Sequence, residues 1–307
     1  MQAETSSFIH VPVLLNEAVD ALQVKANGRY VDGTFGRGGH SREIVRRGGI
    51  VLGIDRDDEA VVAGKNLQLK DLSVVKGNHG DLGRIANDYG WEEVDGILLD
   101  LGVSSPQLDD SRRGFGFRSA GPLDMRMDRS RGRTAADIVN GEDAAALEAI
   151  FRNYGEEPQA RRIAQGIVKK RASSPFVTAC ELADFVEALI GRRTGKHPAT
   201  RIFQALRMEV NDELGELTRA LEDGLRILSR GGRFAVITFE SLSDRVVKKF
   251  FAAHEGKMRS LQEGGEKWEG ELPRVHRAVR HSVVAGEREL EENPRSRSAR
   301  LRVVEKE

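Results

Sequence analysis

Short apolar runs alternate with amphipathic helical patterns along the N-terminal third of the chain. The apolar runs are residues 30–31, 50–54, 72–75 and 96–99, and apolar residues recur at helical spacing over 13–22, 41–47, 58–67 and 81–89. Strands separated by helices of this length form parallel sheets whose faces are covered through right-handed crossovers. The pattern predicts a doubly wound, Rossmann-like α/β domain.

The alternation then stops. Residues 104–133 are rich in Gly, Ser, Arg and Asp. Helical patterns follow without an intervening strand, over 144–153, 159–171, 178–190 and 199–228. The apolar run 234–237 then predicts one more strand of the sheet. We therefore expect an α/β domain made of residues 1–107 and 206–307, interrupted by a mainly helical insertion at 108–205.

Composition places the chain among ordinary globular proteins. It has 307 residues, of which 39% are hydrophobic and 31% are charged. The N-terminus has neither a basic start nor an apolar run, and no stretch approaches the roughly 18 apolar residues of a membrane span. We expect a cytoplasmic protein without membrane contact.

The single cysteine, Cys180, excludes an internal disulfide framework and a cysteine-based zinc site, and no metal is expected.

The formal net charge is zero, so the charge of the whole chain does not indicate a nucleic-acid partner. Arg and Lys nevertheless gather over residues 112–133, 161–201 and 274–302. Each cluster is compatible with a basic RNA-binding face and equally with a solvated helix face of mixed charge.

A glycine-rich turn follows the first predicted strand, over residues 32–40. Its glycines, at positions 33, 36, 38 and 39, allow a ligand to approach the backbone closely. We expect Ser41 to cap the following helix. Such a turn alone is compatible with a purely structural role, but the second strand ends in Asp55, about 20 residues downstream, where folds of this class bind ribose hydroxyls.

The spacing of the turn and the nearby charges favour S-adenosylmethionine over a dinucleotide. The glycines follow the pattern GxxGxGG and not the GxGxxG that receives a pyrophosphate. S-adenosylmethionine has no phosphate, and its ammonium and sulfonium charges favour nearby carboxylates. Three predicted strand ends supply them, at Asp32, Asp55 and Asp100.

Motifs along the whole chain resemble the bacterial 16S ribosomal RNA cytosine-N4 methyltransferase family, called MraW or RsmH. They are residues 10–15 (HVPVLL), 32–41 (DGTFGRGGHS), 100–109 (DLGVSSPQLD), 113–115 (RGF), 122–128 (PLDMRMD), 154–157 (YGEE), 197–207 (HPATRIFQALR) and 293–298 (NPRSRS). The resemblance implies an S-adenosylmethionine-dependent methyltransferase fold with a helical insertion subdomain. It also implies methylation of the N4 amine of one cytidine in the decoding centre of 16S rRNA, with the small ribosomal subunit as partner.

The resemblance also implies a set of donor contacts. Carried over by motif, they are Gly38, Gly39, His40, Asp55, His79, Asp100 and Gln107. Three positions depart from the family pattern. His79 replaces a phenylalanine that would stack on the adenine, Glu240 replaces a histidine and so removes any catalytic role of that histidine, and Gly116 replaces a serine.

Cytosine N4 is a poor nucleophile because its lone pair is delocalised into the ring, so we expect a hydrogen-bond acceptor at the amine. Asp100 is the candidate catalytic residue, with the turn 104–106 as the alternative. A flipped base needs an aromatic or apolar wall. Phe115 and Phe117 suit it, beside Arg113, although both phenylalanines are equally compatible with packing under the insertion.

Four further arginines are candidate phosphate contacts: Arg126, Arg201, Arg295 and Arg297. Arg126 and Arg201 also suit internal salt bridges to nearby acids.

Three other functional classes remain open. They are a dehydrogenase, which would need the absent pyrophosphate fingerprint, a non-catalytic ribosome-assembly factor that keeps the cofactor fold, and a methyltransferase acting on DNA or protein.

Overall fold

The computed structural model describes residues 12–118, 120–192, 195, 197–260 and 266–307, so residues 10 and 11 of the first matched motif lie outside the described residues. The chain forms two compact units. The first comprises the chain up to Gly102 together with Gly215–Glu307, and the second is Val103–Leu214. The segment 108–205, for which the sequence predicts a helical insertion, lies within the second unit.

The first unit is built around a mixed sheet. In chain order the strands are β1 (Arg29–Asp32), β2 (Ile50–Asp55), β3 (Leu72–Lys76), β4 (Val94–Asp100), β5 (Leu228–Thr238), β6 (Lys257–Ser260), β7 (Glu266–Glu269), β8 (Val275–Arg277) and β9 (Arg300–Lys306). Seven of them form one sheet in the order β3-β2-β1-β4-β5-β9-β8, and β6 pairs with β7 separately. In this order, the strands from β3 to β5 pair in parallel. β9 pairs antiparallel with β5, and β8 pairs antiparallel with β9.

The helices follow the predicted order. They are α1 (Leu15–Leu22), α2 (Gly39–Arg46), α3 (Asp58–Asn66), α4 (Leu82–Asp88), α5 (Ser105–Asp109), α6 (Ala135–Gly141), α7 (Ala144–Asn153), α8 (Ala160–Arg171), α9 (Ala179–Ile190), α10 (Thr200–Val210), α11 (Glu213–Ile227), α12 (Ser241–Glu255) and α13 (Glu287–Glu292). The doubly wound fold predicted from the alternating pattern is confirmed.

Successive residues of each central strand enter different cores, because side chains alternate across a sheet. Val31 belongs to a core with residues of α4, α11 and α12, whereas its neighbour Tyr30 belongs to a core with α1 and α2. Burial on both faces explains the nearly continuous apolar runs of these strands. The strand order reverses between β1 and β4, and this is where ligands of doubly wound folds bind.

The second unit has its own core, formed by α6–α10 and by the loop that precedes α6. Its fully buried members include Phe151, Leu182 and Leu206, which come from helices whose apolar residues recur at helical spacing, and Phe176 from the loop between α8 and α9. Among the described residues, no helix is both long and apolar enough to cross a membrane.

The long helix predicted over 199–228 is in fact two helices, α10 and α11, separated at Asn211 and Asp212. Asp212 has a φ of 47°, which no α-helix accommodates. The Asn211 side chain donates to the carbonyls of Arg207 and Met125, at 2.8 Å each, and accepts from the Met127 amide at 2.8 Å. The break therefore places a buried amide that holds the loop before α6.

The C-terminal tail, which has weak periodicity, contributes β8 and β9, the last two strands of the sheet. β9 pairs with β5 along its length, and its residues Leu301, Val303 and Val304 are buried. Arg302, on the same strand, donates to both carboxylate oxygens of Asp244 at 2.7 and 3.0 Å. A strand that carries a paired arginine lacks the uniform apolar run of the parallel strands.

We predict that Asn211→Ala lowers the free energy of unfolding by about 2 kcal/mol, because it leaves the buried Met127 amide and Met125 carbonyl without their partner. Chemical denaturation monitored by circular dichroism measures the change. Asn153→Ala is the matched control, since Asn153 is exposed on α7, and it should change stability by less than about 0.5 kcal/mol. Equal stability of the two variants would contradict the assigned role of Asn211.

Candidate functional site

The glycine turn is fixed at both ends by Asp32, the last residue of β1. Asp32 is 2% exposed, and its carboxylate accepts from the Thr34 amide at 3.2 Å and from the Ser41 hydroxyl at 2.6 Å. Ser41 was expected to cap the following helix, and this is wrong. α2 already begins at Gly39, with Gly38 as its N-cap, so Ser41 lies inside the first turn and bonds to Asp32.

Phe35 packs behind the turn and explains one glycine of the turn, Gly38, and one of β2, Gly53. A Cβ atom on Gly38 or on Gly53 would come within 2.5 Å of the Phe35 ring. Gly38 also has a φ of 72°, which favours glycine. The Phe35 ring therefore holds the turn against β2, and the amides of Gly38 and Gly39 begin α2 at a fixed position.

Asp55 lies at the end of β2, next to the turn. Its carboxylate accepts from the Gly36 amide at 2.8 Å and from the Asp57 amide at 2.9 Å. Burial raises the pKa of Asp55, and these two hydrogen bonds oppose the rise. Each oxygen keeps a further lone pair, so a ligand hydroxyl can still donate to this carboxylate.

Asp100 ends β4, on the other side of the switch point. Its amide donates to the Thr34 hydroxyl at 2.6 Å, which joins β4 to the glycine turn. Its Oδ2 lies 3.9 Å from Nδ1 of His40, whereas its buried Oδ1 has no hydrogen-bond partner among the described residues. Burial, followed by the nearby charge of Asp32, raises the pKa of Asp100 to about 8.

His40 lies on α2 and is 6% exposed. Its Nε2 is 3.0 Å from the carbonyl oxygen of Val13, and a carbonyl only accepts, so Nε2 donates this bond. That bond turns Nδ1 towards Asp100. His40 thus connects the segment before α1 with the carboxyl end of β4.

Asn78 and His79 follow β3 at the same edge of the sheet. Asn78 donates to Glu216 at 3.1 Å, but its Oδ1 has no partner among the described residues. The same is true of Nε2 of His79, a side chain that is 7% exposed. Burial, followed by the nearby charges of Arg56 and Arg219, lowers the pKa of His79 to about 3, so His79 is neutral at pH 7.

Three buried polar atoms without partners thus follow β3 and β4, on either side of the glycine turn. Buried polar atoms in proteins are nearly always hydrogen-bonded, and exceptions call for an explanation. Oδ1 of Asp100 suits a cationic or hydrogen-bond-donating group, and the Asn78 and His79 atoms suit the polar edge of a heterocycle. These protein atoms fit S-adenosylmethionine, which carries an ammonium, a sulfonium, ribose hydroxyls and an adenine.

The second unit contains Gln107, Arg113 and Phe115. Gln107 is buried, and its Oε1 accepts from the Ser104 amide at 3.0 Å at the start of α5. Arg113 is 3% exposed and donates to the carbonyls of Arg126 and Met127. Phe115 belongs to the hydrophobic core of the unit, and the Arg113 guanidinium lies 5.9 Å from its ring centre.

Arg126 and Arg201 both make ion pairs within the second unit. Arg126 binds both carboxylate oxygens of Asp124, at 2.8 and 3.0 Å. Arg201 is exposed, donates to the Glu156 carbonyl at 3.1 Å, and lies 3.8 Å from the Glu157 carboxylate. The sequence left internal salt bridges to Asp124, Asp128 or Glu209 as the alternative. Arg126 binds the expected Asp124, whereas the acid nearest Arg201 is Glu157.

Arg295 and Arg297 lie in the first unit, in the short 3-10 turn Pro294–Ser298 that precedes β9. Both are exposed. The side chain of Asn293 accepts from the Arg295 amide at 3.3 Å and so begins the turn.

The sequence did not predict the roles of Thr34 and Glu216. Thr34 lies inside the glycine turn, and no local pattern distinguishes it from its neighbours. Glu216 is distant in sequence, on α11, so no local pattern announces that it holds Asn78.

Comparison with known proteins agrees with this geometry. The model of the MraW methylase family matches residues 7–307. "Ribosomal RNA small subunit methyltransferase H" of Shewanella violacea is 44% identical, with 98% of this chain and 99% of that protein covered. The protein of the same name from Methylorubrum populi is 45% identical, with 97% of this chain and 87% of that protein covered. Because these matches span nearly the whole chain, it belongs to the MraW methylase family and is a methyltransferase whose cofactor is S-adenosylmethionine.

Proposed function

We propose that the chain methylates small-subunit ribosomal RNA, and that the acceptor is the N4 amine of one cytidine in the decoding centre of 16S rRNA. The printed names of the curated relatives support the RNA, and the motif resemblance supports the cytidine. The observation that carries the proposal is Asp100. Its buried Oδ1, without a partner among the described residues, lies beside the turn that would hold the methyl donor.

The proposed donor-binding residues are supported by the geometry at the strand ends. The amides of Gly38 and Gly39 face a ligand at the start of α2, Asp55 accepts from the ribose hydroxyls, and His79 lies beside the adenine. Asp100 binds the cationic end of the donor. When bound, S-adenosylmethionine supplies an electrophilic methyl group on a sulfonium.

His40 and Gln107 complete the proposed donor contacts, and both rest on the resemblance. His40 also orients Asp100, because its Nε2 is fixed by the Val13 carbonyl while its Nδ1 lies next to the Asp100 carboxylate. Gln107 holds the start of α5 through the Ser104 amide.

Asp100 also acts on the acceptor in this proposal. As a carboxylate it accepts a hydrogen bond from the N4 amine, which favours the pyramidal amine with an available lone pair. The N4 lone pair forms the new N–C bond while the S–C bond breaks, and the amine loses one proton. The Asp100 carboxylate, which the bound cation keeps ionised, accepts that proton, and binding aligns the two reacting atoms.

The residues proposed for RNA binding fall into an exposed group and a buried or half-buried group. Arg201, Arg295 and Arg297 are exposed, and we assign them to RNA phosphates. Arg113 and Phe115 are buried, and with Arg126 they act by holding the loop before α6. The partner is the small ribosomal subunit, and we place the reaction in the cytoplasm.

Transfer of labelled methyl groups tests the function directly. Small subunits, naked 16S RNA and DNA are offered in parallel, and labelled nucleosides are then identified. We expect N4-methylcytidine from the ribosomal substrates. Label on DNA alone, or on another nucleoside, would refute the proposal, and donor binding without any transfer would favour a non-catalytic assembly factor.

We predict that Asp100→Asn lowers methyl transfer by about a hundredfold or more, because the acceptor for the amine proton is lost.

At pH 7 the free protein keeps the Asp100 proton, since the pKa is about 8, and a bound cation expels it. Donor affinity should therefore rise with pH up to about 8, by up to about tenfold per pH unit.

Calorimetry in two buffers of different ionisation enthalpy measures the proton release. The wild-type protein should release about one proton on donor binding, and Asp100→Asn should release none. Asp88→Asn, at an exposed position on α4, is the control and should behave as the wild type. Full transfer by Asp100→Asn at saturating donor would exclude the proposed role at the amine.

A second prediction concerns His79, whose folded-state pKa is lowered to about 3. Because the unfolded chain binds this proton near pH 6.5 and the folded chain does not, stability falls as the pH drops below about 6.5. Between about pH 7.5 and about pH 5, the free energy of unfolding should fall by about 2 kcal/mol less in His79→Phe than in the wild-type protein. Denaturant unfolding measures it, with His281→Phe, at an exposed position, as the control. An unchanged pH dependence would show that His79 is not buried in its neutral form.

A further inference from the structure

A groove of about 210 Å³ lies beyond the carboxyl end of β5, within the first unit. Its lining includes Phe239, Glu240, Val284, Arg297 and Arg300. Pockets that hold whole drug-sized ligands measure about 300 to 1,000 Å³. The size of this groove therefore suits a single base with its sugar better than a longer ligand.

The groove adjoins the end of β4. β5 pairs with β4 in parallel, with Ile237 opposite Asp100, and the Leu101 amide donates to the Ile237 carbonyl at 3.0 Å. The Phe239 ring lies 3.6 Å from the position that a Cβ of Gly102 would occupy. Neighbouring strands are about 4.8 Å apart, so the groove begins about one strand spacing from Asp100.

The groove combines apolar walls with charged groups of both signs. Phe239 is half-buried, and Val284 is 55% exposed. Arg297 is exposed and makes no hydrogen bond or ion pair with another described residue. Glu240 lies at the start of α12 and contributes a carboxylate to the lining. The other acid of the lining, Asp244, is bound by Arg302.

We propose that this groove binds the target nucleotide of the RNA, with the base against Phe239, the phosphate at Arg297, and the exocyclic amine donating to Glu240. The proposal rests on the proposed function and adds a specificity-determining residue to it. Glu240 stands where the resembling family has a histidine, so this chain reads the base with a carboxylate.

A carboxylate recognises cytosine by its chemistry. An ionised glutamate only accepts hydrogen bonds, and position 4 of cytosine carries an amine that donates. Uracil carries a carbonyl oxygen at that position, and two acceptors repel each other. The amine has two N–H bonds, so Glu240 accepts one while Asp100 accepts the other, and the lone pair remains directed out of the base plane.

Binding of cytidine 5′-monophosphate and uridine 5′-monophosphate to the full chain tests the inference, with S-adenosylhomocysteine present so that no transfer occurs. We expect the wild-type protein to bind the cytidine nucleotide about tenfold more tightly than the uridine nucleotide. Glu240→Gln should bind both equally, because an amide both donates and accepts. Arg297→Gln should weaken both nucleotides and leave unphosphorylated cytidine unaffected.

Matched controls are Glu291→Gln and Arg288→Gln, at exposed positions of α13, which should keep the wild-type preference. All variants should bind S-adenosylhomocysteine as the wild type does, which shows that they are folded. The inference is overturned if Glu240→Gln still prefers cytidine, if neither nucleotide binds at millimolar concentration, or if the nucleotides compete with S-adenosylhomocysteine. Any of these results leaves the labelled-methyl test of the function intact, so the two proposals fail separately.

Discussion

The hydrogen bonds accepted by Asp32 organise the whole donor site. One carboxylate oxygen holds the Thr34 amide at the start of the glycine turn, and the other holds Ser41 in the first turn of α2. Thr34 then accepts from the Asp100 amide, so the ends of β1 and β4 and the start of α2 are joined through one buried group. Since the strand order reverses between β1 and β4, these bonds lie at the switch point, where ligands of doubly wound folds bind.

The same burial makes the site unfavourable for charge until a cation arrives. Burial raises the pKa of Asp32 to about 6 despite its hydrogen bonds, and that of Asp100 to about 8. Asp32 already has its partners, whereas Oδ1 of Asp100 has none among the described residues. The two acids therefore differ in their contacts: Asp32 maintains the turn, and Asp100 is the one to which the proposed function assigns a positively charged donor and a donating amine.

Local patterns predicted the parts of the fold whose causes are local. The parallel strands are buried on both faces, and their apolar runs express this directly, as at residues 50–54 and 96–99. The break between α10 and α11 escaped prediction because helical spacing continues through Asn211, whose side chain bonds to a loop more than eighty residues earlier in the chain. β9 escaped because its arginine is balanced by an acid on α12.

For the site, the sequence supplied the strand ends and the motifs, but not the pairing of side chains. The basic cluster 112–133 illustrates the limit. Arg112 binds Asp110, Arg126 binds Asp124, and Arg133 binds Glu142. With Arg131 and Asp128, at least four of the seven arginines in this cluster have an acidic partner, so a count of arginines overstates the attraction of this segment for RNA.

Pairing also identifies where attraction for RNA remains. Coulomb attraction to phosphate is weakened when a guanidinium already has a carboxylate partner, because the approaching anion must compete with it. Arg297 has no such partner among the described residues, and it lies beside a groove next to the donor site. In a chain with zero net charge, the position of a few unmatched cations therefore guides RNA better than total charge does.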